Sequence, residues 1–139
     1  MNMRIAWRGA LAAVLLACAP QGAQAGSDPT GQWLVEDASA VVQIDHCGAA
    51  LCGKILWSHK PVDAKGQPLC GRAVLGNALP GNAGSWDEGW VYSPKTGSQY
   101  PVTLSLAGDG SLHLHITAGL VGRDQTWTRP KDAITPCSP

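Results

Sequence analysis

The sequence predicts an all-β fold: a small antiparallel meander of eight strands. Three observations carry this. No segment shows the apolar stripe of an amphipathic helix. Short alternating or β-branched runs recur instead, bounded by Gly, Pro and Asp; with 17 Gly and 10 Pro the chain has residues for many tight turns. Four cysteines follow residue 25, an even count that predicts disulfide staples for a domain too small to rely on its core alone.

Residues 1–25 read as a signal peptide. Arg4 and Arg8 give a positive start, Ala10 to Ala17 an apolar run, and Ala23-Gln24-Ala25 a small-x-small cleavage site. The run is far shorter than the roughly 20 residues that span a bilayer, so no transmembrane segment is expected. Leu15-Leu16-Ala17-Cys18 offers a second route, in which Cys18 is lipidated. The expected product is exported and periplasmic, either free or anchored through Cys18, with residues 26–139 as a single domain. Losing Arg4 and Arg8 leaves eight Lys/Arg against ten Asp/Glu, a net charge of −2 with no basic patch. That argues against nucleic acid as a partner.

The predicted strands are Gly31–Glu36, Ala40–His46, Leu51–Trp57, Arg72–Leu75, Gly89–Ser93, Ser98–Leu106, Ser111–Thr117 and Arg123–Arg129. Placing Cys47 opposite Cys52 across a four-residue loop sets Asp45 against Lys54, Ile44 against Ile55 and Val42 against Trp57. One face is then apolar, and the other carries both sulfurs. This register favours Cys47–Cys52 and leaves Cys70 with Cys137, one of three possible pairings. Gly108-Asp109-Gly110 as a three-residue loop pairs Leu106 with Leu112, Leu104 with Leu114 and Val102 with Ile116. The turn Pro94-Lys95-Thr96-Gly97 leaves two registers open. A four-residue loop turns Gly89 and Val91 inward, and a three-residue loop turns Trp90 and Tyr92 inward.

The register also bears on metal chemistry. His113 and His115 share a strand face, as paired ligands must, but it is the face opposite the leucines. Water is their expected neighbour. Cys47 and Cys52 have no third ligand close in sequence, so no metal or other cofactor is expected. Trp33, Trp57, Trp86, Trp90 and Trp127 either fill the core or line a pocket, and the sequence leaves both readings open. Nucleophile-elbow, phosphate-loop and zinc-protease motifs are missing, and the neighbours Asp87 and Glu88 face opposite ways on a strand. An enzyme is therefore not expected.

Gly31-Gln32-Trp33 at the first strand and Arg129 at the last resemble the lipocalin and wider calycin pattern. That resemblance implies that Arg129 stacks on Trp33 and closes one barrel end. A broader resemblance runs through Asp28–Trp33, His46–Gly53, Pro68–Gly71, Gly89–Pro94 and Gly122–Arg129, with Gln125-Thr126-Trp127-Thr128-Arg129 its most distinctive piece. These segments resemble the bacterial domain-of-unknown-function family 2147, and imply an exported, lipocalin-like β-barrel with no established activity. The segment Ser58–Cys70 is shorter than the Pro- and Asp-rich insert of many members, which implies a reduced cover over the barrel mouth. The leading expectation is a non-catalytic binder of a small, largely apolar ligand, lined by Val42, Ile44, Ile55, Trp57, Leu104 and Leu114. The alternative is a structural or partner-binding module with a filled interior, anchored through Trp86 or Trp90.

Overall fold

The alternating segments form one sheet in which each strand is antiparallel to the next. The computed structural model describes Gly9 and residues 28–138. Apart from Gly9, the predicted signal segment 1–25, with Cys18, lies outside the described residues. The strands are β1 (Gly31–Leu34), β2 (Ala40–Cys47), β3 (Ala50–Ser58), β4 (Ala73–Pro80), β5 (Ser85–Ser93), β6 (Ser98–Leu106), β7 (Leu112–Ala118) and β8 (Val121–Trp127). The sheet curls, and β1 meets the end of β8 through a single bridge. There the Leu34 amide donates to the Thr128 carbonyl at 2.7 Å, and the Thr128 amide donates back at 3.0 Å. The result is an incompletely closed meander barrel. Among the described residues no helix is long and apolar enough to cross a membrane.

The β6–β7 hairpin has the predicted register: Leu106 opposite Leu112, Leu104 opposite Leu114, Val102 opposite Ile116. Gly110 sits at φ 85°, where a side chain would be strained, and this lets a three-residue loop close. His113 and His115 are exposed on the outer face, opposite Ser105 and Thr103. The open choice at Pro94–Gly97 resolves to the four-residue loop, with Ser93 opposite Ser98. Val91 and Gly89 therefore turn inward. Trp90 lies on the other face over Gly76, where an added methyl would meet the indole at 2.6 Å.

The β2–β3 register differs from expectation by two residues. The turn is Gly48-Ala49, so Asp45 faces Cys52, Gln43 faces Lys54, Ile44 faces Gly53 and Val42 faces Ile55. The expected pairs Asp45–Lys54, Ile44–Ile55 and Val42–Trp57 are not formed. A slip of two preserves each residue's face, so Val42, Ile44 and Ile55 still point inward. Trp57 does not, because the register shifts again between Val41 and Val42. That bulge leaves Leu56 unpaired and sets Trp57 opposite Val41, on the outer face.

Cys47 and Cys52 are bonded with Cα atoms 5.8 Å apart, although they sit diagonally rather than directly opposed. Cys70 is bonded to Cys137 at 6.0 Å. This second bond carries the C-terminal tail across the outside of β1–β3. The Cys137 amide donates to the Leu56 carbonyl at 2.8 Å, and the Ile134 amide to Gln32 Oε1 at 3.3 Å. Val41 lies between these points and is fully buried, yet it is outside the inner apolar cluster. The tail thus acts as an outer cover for the sheet.

Candidate functional site

The barrel has a filled end and a hollow end. At the filled end Trp33 is fully buried, and its indole N–H donates to the Pro29 carbonyl at 2.7 Å. The Arg129 guanidinium stacks 3.8 Å from the Trp33 ring centroid and donates to the Gln32 carbonyl at 3.1 Å. Gly31 makes room, because a side-chain carbon there would come within 2.7 Å of the guanidinium. The guanidinium and the indole thus stack on one another at this end of the sheet. Above it Ile44, Leu104, Leu112 and Leu114 pack with no measurable exposure.

The hollow end lies under the β1–β2, β5–β6 and β7–β8 connections. A cavity of about 750 Å³ opens there. Its floor and walls are Val42, Ile55, Val74, Val91, Ile116 and Trp127. Its rim is polar, with Glu36, Asp37 and Ser39 from the β1–β2 loop and Lys95 and Thr96 from the β5–β6 turn. Lys95 Nζ lies 3.2 Å from Asp37 across the mouth, joining two loops. Hydrogen bonding from the Ser39 hydroxyl holds the Asp37 carboxyl below its ordinary pKa, partly offset by burial, with the Ser39 amide and Lys95 adding to the lowering. Both partners are largely exposed, so this pair contributes at most about 1 kcal/mol.

Six residues are expected to contact a ligand. Of these, Val42 and Ile55 border the cavity. Ile44, Leu104 and Leu114 lie in the packed layer beneath, and Trp57 is on the outer face. Val74, Val91, Tyr100, Ile116 and Trp127 also line the cavity and lie outside those six. Ile116 was already placed inward by the leucine register and needed only to be followed one step up the strand. Of the five tryptophans after residue 25, Trp33 fills the closed end and Trp127 forms cavity wall. Trp86 and Trp90 are partly buried against the core, so neither stands free as a surface anchor.

The β3–β4 connection flanks the cavity wall through a buried acid. Asp63 accepts the amides of Lys65 and Gln67, each at 2.8 Å, the Tyr92 hydroxyl, and Arg72 at 3.4 Å. Arg72 also stacks 4.1 Å from the Tyr92 ring centroid. The Tyr92 hydrogen bond is the largest of the effects that hold the Asp63 carboxyl below its ordinary pKa, against the opposing effect of burial. The same bond pushes the Tyr92 phenol up. With every acceptor position engaged, this cluster anchors a loop and is closed to substrate. Among the described residues, no group of three or more His, Cys, Asp or Glu is placed to hold a metal.

A meander barrel plugged at one end by an arginine-capped tryptophan and hollow at the other is lipocalin-like. Among solved structures, the protein HP1028 of the human pathogen Helicobacter pylori, described as belonging to the lipocalin family, superposes with a TM-score of 0.59. It is 16% identical over 76% of this chain and 84% of that one, a likeness of fold. The chain belongs to the bacterial family described as "Uncharacterized protein conserved in bacteria (DUF2147)", which matches residues 31–129. No curated protein matches the chain.

Proposed function

We propose that this protein is a non-catalytic, exported binder of a small, largely apolar ligand, held in the hollow end of the barrel. The observation that carries this is the cavity itself. About 750 Å³ falls within the roughly 300–1,000 Å³ of small-molecule sites, and its floor is aliphatic and indole. The filled-barrel alternative accounts for the closed end but leaves this volume unexplained. Export is supported by the leader sequence and by two disulfides, which persist in oxidising compartments.

Trp127 gives the direct readout because it lines the cavity. Titration with dodecanol, a neutral chain with no charged head, is expected to shift Trp127 fluorescence in a saturable way. Val91→Phe, which places a ring into the cavity, is expected to weaken that response at unchanged fold. A non-saturating response, or equal binding by Val91→Phe, would count against the cavity as the site. The intact mass of protein from its host envelope reports the processing route: a chain beginning at Gly26 is the expected form, and a lipidated Cys18 is the alternative.

A further inference from the structure

We infer that the ligand is an amphiphile with an anionic head, its tail on the apolar floor and its head held by Arg123. This rests on the carrier reading above and narrows it to a ligand class. In the β7–β8 ladder Arg123 stands opposite Ile116, Gln125 opposite Leu114 and Trp127 opposite Leu112. Directly opposed residues share a face. Ile116, Leu114 and Leu112 all belong to the inner cluster, so Arg123 and Gln125 rise along the inner wall above Trp127. Both border the cavity.

Arg123 has no acid to answer it. Among the described residues, no carboxylate lies within 4.0 Å of its guanidinium, and the guanidinium makes no hydrogen bond. The three acids at the mouth are each engaged elsewhere. Asp37 pairs with Lys95 at 3.2 Å, and Asp124 turns outward to His115 at 2.7 Å. Glu36 accepts the Thr126 amide at 2.7 Å. Two residues below Arg123, Gln125 Oε1 accepts the Trp127 indole N–H at 3.1 Å, which leaves the Gln125 amide nitrogen as a donor. Two strand rises, about 7 Å, separate these donors along the wall.

The wall therefore presents a guanidinium fork and an amide donor over an aliphatic floor, with no carboxylate of the described residues within 4.0 Å of the guanidinium. A neutral apolar ligand leaves them unmatched. A carboxylate or phosphate supplies paired acceptors in the plane that a guanidinium prefers. An inorganic anion alone leaves the floor bare. One amphiphile with an acidic head answers both halves of the cavity.

The test is calorimetry on lipid-stripped protein with dodecanoate, dodecyl phosphate, dodecanol and inorganic phosphate as probes. At least one acidic amphiphile is expected to bind about tenfold or more tightly than dodecanol. The tighter of the two acidic probes distinguishes a carboxylate head from a phosphate head, and inorganic phosphate alone is expected to give no saturable heat. Arg123→Gln should bring the acidic probe down to the affinity of dodecanol, and Arg123→Lys should keep part of the preference. Added salt should shrink the preference, because Arg123 is exposed at the mouth. Equal binding of acidic and neutral probes by the wild-type protein overturns this inference and leaves the carrier reading standing. Full preference retained in Arg123→Gln, at an unchanged melting temperature, overturns the role of Arg123. No binding of any chain-bearing probe overturns both readings.

Discussion

The double variant Cys70→Ser/Cys137→Ser removes a cross-link that spans 67 residues. In the chain-entropy treatment, a loop of that length restricts the unfolded chain by about 4 kcal/mol. The Cys47–Cys52 bond spans 5 residues and contributes about 2 kcal/mol by the same argument. Total stability for a domain of this size is on the order of 5–15 kcal/mol, so the long bridge is a large share of it. The native contacts of the tail to Leu56 and Gln32 remain available without the bond. The loss therefore arises mainly in the unfolded state, which gains freedom. Urea unfolding of both double variants, followed by circular dichroism, measures the difference. The long-loop variant is expected to lose about twice as much stability as Cys47→Ser/Cys52→Ser, with a steeper dependence on urea as its unfolded chain expands. Equal losses, or a larger loss at the short loop, would show that loop length does not set these contributions. The same numbers link structure to compartment, because in a reducing environment both contributions vanish together.

Other outcomes follow from single contacts. Gly76→Ala forces the Trp90 indole away from a position 2.6 Å from the new methyl and should cost about 1–3 kcal/mol; an unchanged melting temperature would contradict the packing described. Arg129→Ala removes the stack on Trp33 and the bond to Gln32, for about 1–2 kcal/mol, and Arg129→Lys should recover only part, read by thermal melting. Asp63 has a folded pKa below its unfolded one, so its stabilising effect is complete above the ordinary aspartate pKa of about 3.9 and is lost as pH falls through the folded value. Acid unfolding of Asp63→Asn should therefore show a shallower loss of stability in that range, and an unchanged slope would exclude Asp63 as a contributor.

Much of the barrel was legible where side chains alternate cleanly. Leu104, Leu106, Leu112 and Leu114 specify a face and, with Gly108–Gly110, a turn, so the β6–β7 register could be read without a structure. The β2–β3 turn was misread because Ala49, Ala50 and Leu51 carry no turn signal, and a two-residue and a four-residue loop bury the same faces. The disulfide was reached all the same, since diagonal neighbours also lie within bonding distance. The sequence predicts an end at Leu75, before Gly76 and Asn77, but β4 runs on to Pro80. In the fold, Gly76 makes room for Trp90, while Asn77 adopts φ 51° and donates to the Glu88 carbonyl. The site was less legible than the fold. Trp57 leaves the inner face through a bulge that no local pattern marks. Whether an inward residue lines space or fills it depends on height in the barrel, which alternation does not encode. Arg123 gave no signal of its own, because its inward direction appears only once β8 is registered against β7.

The proposed ligand occupies the hollow end of the barrel. Native mass spectrometry of the protein isolated from its own host reads its presence. A population heavier than the disulfide-bonded chain by one small organic molecule is expected, lost under gentle activation and absent in Val91→Phe. A bare mass from native membranes and soluble extract alike, or an adduct that Val91→Phe retains in full, would contradict it.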